Sequence, residues 1–164
     1  MSVYGRILLA GLGSFLLLMG AFGFQFIGKL TPCPMCIWQR WPHATAILIA
    51  VVAMTVLWQQ RRFLAGLGAL TMLASAGLGI FHAGVEQKWW DGPSSCSGAD
   101  PTSLSSDQLL DQLMDTPLVR CDEIVWDLFG ITMAGWNGMI SIGLAVLWFF
   151  AAFPKTPTRH VVPG

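Results

Sequence analysis

The chain is poor in charge, and acidic residues are missing from most of its length. Asp, Glu, Lys and Arg make up 11% of its 164 residues, whereas apolar residues make up 54%. No Asp or Glu occurs before Glu86 or after Asp127. An average soluble domain has about twice this share of charged residues. The composition therefore excludes an ordinary soluble protein, and a net charge of zero gives no reason to expect a nucleic-acid partner.

Four stretches without Asp, Glu, Lys or Arg have roughly the length that a helix needs to cross a bilayer, which is about 20 residues. They cover about 7–27, 41–58, 63–81 and 136–153. The first is longer than the apolar core of a signal peptide, so we expect it to remain in the protein as a helix. The sequence thus predicts an all-α membrane protein, a single membrane domain over residues 1–164 that folds as a four-transmembrane-helix bundle.

The basic residues predict the orientation of this bundle. One side has basic residues and no acids, namely Arg6, Arg61, Arg62, Lys155 and Arg159. The Arg61–Arg62 pair lies in a very short loop, where positive charge marks the cytoplasmic side most strongly. Both termini are therefore predicted to be cytoplasmic. Two loops, at about 28–40 and 82–135, then face outward.

The longer outward loop has one candidate helix of its own, at about residues 105–114. Ser105 and Gln108 fit a capping box at its start, and leucines alternate with aspartates around it. Such an amphipathic helix can lie on the membrane surface or pack on its own loop, and the sequence leaves both open.

The four cysteines all lie in the two outward loops. Cys33 and Cys36 enclose a Cys-Pro-Met-Cys segment. A disulfide there closes so small a ring that it would stabilise the fold little, but the spacing is common in redox couples. A structural zinc site is the alternative, and it usually takes two close pairs of ligands. Since only one pair is close in sequence, the spacing favours a dithiol couple over a metal.

Cys96 and Cys121 are separated by about 25 residues of the long loop. A bridge between them would stabilise the fold by about 3 kcal/mol, so a purely structural disulfide competes with a redox role. Cys96 lies in a Pro-Ser-Ser-Cys-Ser-Gly segment, which predicts a flexible and exposed setting. The second dithiol in the neighbouring loop favours the redox role, because two dithiols can exchange by thiolate attack.

Arg40 follows Cys36 by four residues. If the second helix begins near Met35, both side chains share one face, and the guanidinium favours a Cys36 thiolate. If it begins at Trp41, with Pro42 in the first turn, Arg40 lies just outside the helix. An anchor for lipid headgroups is the alternative role for this arginine.

Three segments together resemble the DsbB disulfide-bond formation proteins of the bacterial inner membrane. They are CPMCIWQR at 33–40, the loop with Cys96 and Cys121, and WDLFG at 126–130. The resemblance extends from the first predicted span to the end of the fourth. It implies an inner-membrane oxidoreductase whose cysteine loops are periplasmic.

The resemblance also implies an order of reaction. A periplasmic DsbA-like thiol oxidase arrives reduced and attacks Cys96, which reduces the Cys96–Cys121 disulfide. The electrons then pass to Cys33–Cys36 through a disulfide between Cys33 and Cys121. Cys36 donates them to ubiquinone or menaquinone from the membrane pool. A DsbI-like enzyme with a dedicated partner, or a non-enzymatic protein with a structural loop disulfide, are the alternatives.

Two residues are candidates for the quinone site. Arg40 matches the family arginine that assists the quinone step by stabilising charge on the thiolate and the quinone. His82, at the outer end of the third predicted span, is a candidate to bind a quinone oxygen or relay a proton. A helix-end histidine without a catalytic role is the alternative for His82, and His43 is a weaker candidate.

Overall fold

The computed structural model describes residues 1–93, 96, 105, 114 and 120–154. Five α-helices lie in this part of the chain, which also has a 3₁₀ turn at Trp58–Gln60 and a two-stranded hairpin. The helices are α1 Val3–Phe26, α2 Pro34–Trp38, α3 Arg40–Met54, α4 Arg61–Glu86 and α5 Met133–Ala152. The strands are β1 Asp127–Leu128 and β2 Ile131–Thr132, which pair antiparallel.

The four longer helices form a bundle, as predicted. Three segments of the described chain, Val3–Phe26, Trp58–Glu86 and Met133–Ala152, are long and apolar enough to cross a membrane. The helix α3 joins them and packs against α1 and α4, while α5 packs against the same two helices. In the interior, alanines predominate around Ile7, Met72 and Trp148. The outer faces carry exposed leucines and phenylalanines, as expected of a surface in contact with lipid.

The helices α4 and α5 pack closely together. Gly79 faces Gly138, and a Cβ added to Gly79 would lie 2.7 Å from the Gly138 nitrogen. Ser75, one turn earlier, is fully buried and accepts a hydrogen bond from Ser141 at 3.0 Å. Small residues at this spacing let two helix backbones approach closely within a membrane.

This contact predicts an effect on stability. We expect Gly79→Ala to destabilise the bundle by about 1–3 kcal/mol, because the atoms that the new methyl group meets are backbone atoms that cannot rotate away. Thermal unfolding in detergent measures it. Gly77→Ala, two residues earlier on an open face, is the control and should be neutral. Equal melting temperatures for the two variants would contradict the proposed close contact.

The sequence left two starts open for the second helix, near Met35 or at Trp41, and the structure has a helix beginning close to each. The short helix α2 begins at Pro34 and ends at Trp38, and α3 begins at Arg40. Pro42 lies in the first turn of α3, where its missing N–H costs no hydrogen bond. The helix α3 has 15 residues and ends at Met54, so the second predicted span, at about 41–58, is shorter than expected. Its length is near 22 Å at 1.5 Å per residue.

The other helices differ from the predicted spans mainly at their outer ends. The helix α4 continues to Glu86, beyond the predicted end at residue 81, because no proline interrupts it. His82 is therefore part of the helix and is buried. The helix α5 begins at Met133, where Thr132 caps it by accepting a hydrogen bond from the Gly135 N–H. The helix predicted at about 105–114 lies outside the described residues, apart from its two ends.

The hairpin leads directly into α5. Its two turn residues, Phe129 and Gly130, both have positive φ angles, 56° and 75°. A two-residue turn of this kind matches the twist of the strands. The side chain of Trp126, just before β1, packs against Phe24 of α1 with ring centroids 5.3 Å apart. The indole N–H of Trp136 donates to the Leu128 carbonyl. The hairpin is thus tied to both α1 and α5.

Candidate functional site

The first helical turn of α2 brings Cys33 and Cys36 together. Cys33 is the N-cap residue, and its Sγ accepts a hydrogen bond from the Cys36 N–H at 3.1 Å. Pro34 occupies the first helical position, where its fixed φ suits the helix. The two sulfur atoms lie 2.7 Å apart and are not bonded. Although α2 is short, it holds the two thiols in contact at the end of the bundle where α4 ends and α5 begins.

The two thiols differ in their pKa values. The hydrogen bond to Cys33 lowers the pKa of Cys36, and the charge of Arg40 acts in the same direction. The same hydrogen bond raises the pKa of Cys33, as does burial. Cys36 is therefore the thiol of the pair that loses its proton first. A thiolate is the nucleophilic form of cysteine, so Cys36 is the better donor of electrons.

Cys96 and Cys121 form a disulfide, with their Cα atoms 5.4 Å apart. Both residues are fully buried and pack in one cluster with Cys33, Met35 and Val85. The prediction that Cys96 is exposed is therefore wrong in this structure. Its polar neighbours in the sequence suggested solvent, but the disulfide draws its side chain into the cluster. The Cys121 N–H also donates to the Cys96 carbonyl at 3.1 Å.

Cys33, Cys121 and His82 meet at one point. The ligating atoms of the three side chains all lie within 4.8 Å of one another, and all three residues are buried. The Nε2 atom of His82 is 3.6 Å from the Cys33 Sγ. Cys121 is bonded to Cys96, so it has no thiolate to offer a metal in this state. The two dithiols that the sequence places in different loops are thus in contact.

Ion pairs connect the segment around Cys121 to Lys88, which lies just beyond the end of α4. Asp122 accepts two hydrogen bonds from Arg120, at 2.9 Å each, and one from Lys88 at 2.5 Å. Arg120 and Lys88 lower the pKa of Asp122 well below its ordinary value. Their contribution to stability is therefore fully present above the ordinary Asp pKa of about 3.9 and disappears only as the pH falls through the lower folded-state value. The loop should remain attached under mildly acidic conditions.

This attachment predicts how fast the disulfide is reduced. We expect Asp122→Asn to accelerate reduction of Cys96–Cys121 by a small thiol roughly tenfold, because charged hydrogen bonds that keep the buried sulfurs covered are lost. Trapping free thiols with a maleimide at intervals measures the rate. Glu123→Gln is the control, since Glu123 is exposed and lies 3.8 Å from Arg120. Equal rates in both variants would show that Asp122 does not restrain the loop.

A cavity of about 330 Å³ opens beside Cys36. It lies between α1, α2, α3, α4 and α5, with the hairpin on one side, and its lining is mainly apolar. This volume is at the small end of the range for ligand pockets, about 300–1,000 Å³. Its polar lining atoms include those of Cys36, Arg40, His82 and Asn137. The cavity therefore suits a flat, apolar ligand with a few polar atoms.

Arg40 borders this cavity with one donor unused. Its Nη1 donates to the Gln25 Oε1 at 2.6 Å, and its guanidinium lies 5.0 Å from the centre of the Phe22 ring. Its Nε is buried and has no hydrogen-bond partner. Two contacts to α1 thus fix the orientation of a positive charge beside Cys36, which is not what a freely moving headgroup anchor requires.

The sequence did not single out Gln39 and Asn137, which connect to His82 in the structure. Gln39 is buried, and its Nε2 lies 2.7 Å from the His82 Nδ1. Asn137 donates to the Gln39 Oε1 at 2.7 Å and accepts from His43 at 2.8 Å. An amide at the end of an apolar stretch was the available signal, because buried polar groups in membrane helices pair with one another.

Comparison with known proteins identifies the family. The model of the family "Disulfide bond formation protein DsbB" matches residues 5–151. The chain belongs to the DsbB family. A disulfide bond formation protein B of Albidiferax ferrireducens is 30% identical over 97% of this chain and 90% of its own length. The disulfide bond formation protein B of Dechloromonas aromatica is 32% identical over 85% of this chain and 87% of its own length. No solved structure gives a significant match.

Membership of the DsbB family confirms the resemblance that the sequence suggested. The chain is a membrane-embedded, multi-pass oxidoreductase of disulfide bond formation. Uncharacterised relatives exist too, such as a Rickettsia prowazekii protein that is 27% identical over 87% of this chain.

Proposed function

We propose that this DsbB-family protein oxidises a periplasmic dithiol and passes the two electrons to a membrane quinone. In the net reaction, a partner dithiol and a quinone become a partner disulfide and a hydroquinone. The observation that carries the proposal is the contact between the dithiols. Cys33 lies within 4.8 Å of Cys121, while Cys36 opens on an apolar cavity.

The first exchange takes place at the Cys96–Cys121 disulfide. A thiolate of the reduced partner attacks the Cys96 sulfur, a bond forms between the two proteins, and Cys121 leaves as a thiolate. Because the Cys96 side chain is buried, it must become exposed before a partner can reach it. The second thiol of the partner then attacks the intermolecular disulfide, so that the partner leaves oxidised and Cys96 becomes a thiolate.

The second exchange transfers the electrons inward. The Cys121 thiolate attacks the Cys33 sulfur of a Cys33–Cys36 disulfide, and Cys36 leaves as a thiolate. When the Cys96 thiolate in turn attacks Cys121, the Cys96–Cys121 bond is restored and Cys33 is released. The outcome is a reduced Cys33–Cys36 pair beside an intact Cys96–Cys121 disulfide.

The residues around the cavity fit a quinone as the electron acceptor. When bound, a quinone takes up two electrons and two protons; the Cys33–Cys36 pair supplies both electrons, and the two protons given up by the partner dithiol balance the reaction. The unpaired Nε of Arg40 is an available donor for a quinone oxygen. The positive charge of Arg40 favours negative charge on both Cys36 and that oxygen. His82 lines the same cavity and completes the candidate set.

The redox potentials require an oxidant of this kind. A DsbA-type oxidase has a potential near −120 mV, so its reoxidation needs an acceptor that is more oxidising still. Glutathione couples are too reducing for this task. Ubiquinone or menaquinone in the bilayer can reach Cys36 through the apolar cavity, and it carries the electrons away in the membrane.

The proposal places the protein in the bacterial inner membrane, with both termini in the cytoplasm and both cysteine loops in the periplasm. The distribution of basic residues supports this orientation. Disulfide chemistry supports it as well, since disulfides persist in the periplasm and are rare in the cytosol. The partner is a DsbA-like thiol oxidase, either general or dedicated to a few substrates.

Quinone absorbance tests the proposal directly. Purified protein is mixed with a reduced DsbA-type oxidase and a soluble ubiquinone or menaquinone analogue, and the oxidised quinone is followed over time. We expect quinone to be consumed in a ratio of one to each partner disulfide formed. No consumption with either quinone, whether the reduced oxidase or a reduced model dithiol supplies the electrons, would refute the reaction. Consumption with a reduced model dithiol but not with a general oxidase would indicate a dedicated partner.

A further inference from the structure

A continuous chain of hydrogen bonds leads from inside the bundle to the Cys33 sulfur. It begins at His43 of α3, passes through Asn137 of α5 and Gln39, and reaches His82 of α4. The successive distances are 2.8 Å from His43 to Asn137, 2.7 Å from Asn137 to Gln39, and 2.7 Å from Gln39 to His82. His82 then lies 3.6 Å from the Cys33 Sγ.

The direction of each bond follows from what each atom can do. The Asn137 Oδ1 can only accept, so the His43 Nε2 must carry the hydrogen between them. The amide nitrogen of Asn137 donates to the Gln39 Oε1. The Gln39 Nε2 can only donate, so the His82 Nδ1 accepts and carries no hydrogen. The remaining ring hydrogen of His82 is therefore on Nε2, the atom nearest Cys33.

Two further contacts oppose the reversed arrangement. The Gln39 Nε2 also donates to the Met35 carbonyl at 3.4 Å, so turning the amide over would bring two oxygens together. On the other side of the ring, the His82 Nε2 lies 3.8 Å from a carboxylate oxygen of Glu86, which is an acceptor. The Met35 carbonyl in α2 and Glu86 at the end of α4 thus both favour the donor and acceptor assignments given above.

We propose that Gln39, Asn137 and His43 are positioning residues that hold His82 in the form that donates its Nε2–H to Cys33. In this form His82 has no lone pair directed at Cys33 and cannot act as its base. It instead stabilises negative charge on Cys33. Such charge develops on Cys33 when it leaves Cys121 as a thiolate. Stabilised charge on Cys33 favours its release from Cys121. The inference therefore rests on the proposed exchange between the two dithiols.

Nitrogen NMR of the reduced protein tests the proposal without any quinone. The protein has three histidines, so selective ¹⁵N labelling of histidine gives few signals. The signals that disappear in His82→Leu are those of His82. We expect an unprotonated Nδ1 and a protonated Nε2 at His82. The opposite tautomer in the wild-type protein would overturn the proposal, and this measurement stands whether or not any variant folds.

Substitution of Asn137 tests the link itself. Asn137→Asp offers only acceptors, so the Gln39 amide should turn over and the hydrogen of His82 should move to Nδ1. Asn137→Leu breaks the chain and should give a mixture of tautomers. Ser141→Ala, beyond His43 at the inner end of the polar cluster, is the control and should leave His82 unchanged. An unchanged His82 signal in both Asn137 variants would overturn the proposal.

The consequence for Cys33 is measured in a background with Cys36, Cys96 and Cys121 replaced by serine. The N–H of residue 36, His82 and Glu86 still act on Cys33, and the introduced serine hydroxyls are the same in the two proteins compared. Thiolate absorbance against pH gives the titration midpoint. We expect Asn137→Leu to raise it by about one unit, a tenfold change in ionisation constant. An unchanged midpoint would refute the positioning role. It would leave the proposed quinone reaction standing, since the quinone assay tests that separately.

Discussion

Replacing Cys36 with serine is expected to reduce quinone consumption to the background rate. A serine hydroxyl cannot form a disulfide with Cys33 or give up electrons, and Cys36 is the thiol of the pair whose pKa is lowered. The free Cys33 thiol of this variant can still attack Cys121 of the Cys96–Cys121 disulfide, which forms a Cys33–Cys121 bond and releases Cys96 as a thiolate. Part of the protein should therefore carry a Cys33–Cys121 disulfide together with a free Cys96 thiol.

The measurement is quinone absorbance together with peptide mapping of the disulfides under non-reducing conditions. Ile37→Ser is the matched control, since it places the same side chain one residue further on an exposed face of α2. That variant should retain turnover. Full turnover by Cys36→Ser would remove Cys36 as the electron donor. Loss of turnover without a Cys33–Cys121 bond would contradict the proposed route between the loops.

Much of the fold could be predicted because each bilayer-spanning helix must be long, apolar and hydrogen-bonded within itself. That argument found all four helices, but it located their ends poorly. The length of a stretch without charged residues indicates where the chain is hydrophobic, but it does not show where the backbone starts or stops being helical. The extension of α4 to Glu86 and the break between α2 and α3 were therefore not predicted. The break depends on Pro42 and on tertiary packing at Gln39, which no local pattern specifies.

The candidate site was predicted in its chemistry and missed in its surroundings. Cys33, Cys36, Cys96 and Cys121 could be proposed as site residues because thiols at this spacing on one face have few other uses. His82 was a weaker candidate, and the structure brings it within 3.6 Å of Cys33. Gln39 and Asn137 were not identified, because their role depends on side chains that are distant in sequence and face each other only in the folded bundle. The burial of Cys96 was missed for the same reason.

Arg40 is the residue whose role most needs a test, because its exposed aromatic neighbours, Trp38 and Trp41, suit a simple interface anchor. Two observations favour a role in the cavity. Its Nη1 and guanidinium face are held by Gln25 and Phe22, while its Nε remains buried without a partner. Leaving a buried donor unpaired costs about 1–3 kcal/mol, so a ligand oxygen that accepts from it should bind more tightly.

We therefore expect Arg40→His to raise the apparent KM for quinone about tenfold or more, because a charged hydrogen bond is worth about 1.5–3 kcal/mol. Exchange with the partner dithiol, measured in a single turnover without quinone, should stay nearly unchanged, since Cys96 and Cys121 do not depend on Arg40. Arg40→Lys keeps the charge but loses the planar donors, so its KM should lie between the two. Arg62→His, at the start of α4, is the control for removing a positive charge elsewhere. An unchanged KM in Arg40→His would assign this arginine to the membrane interface and leave Cys36 without its proposed charged neighbour in the quinone step.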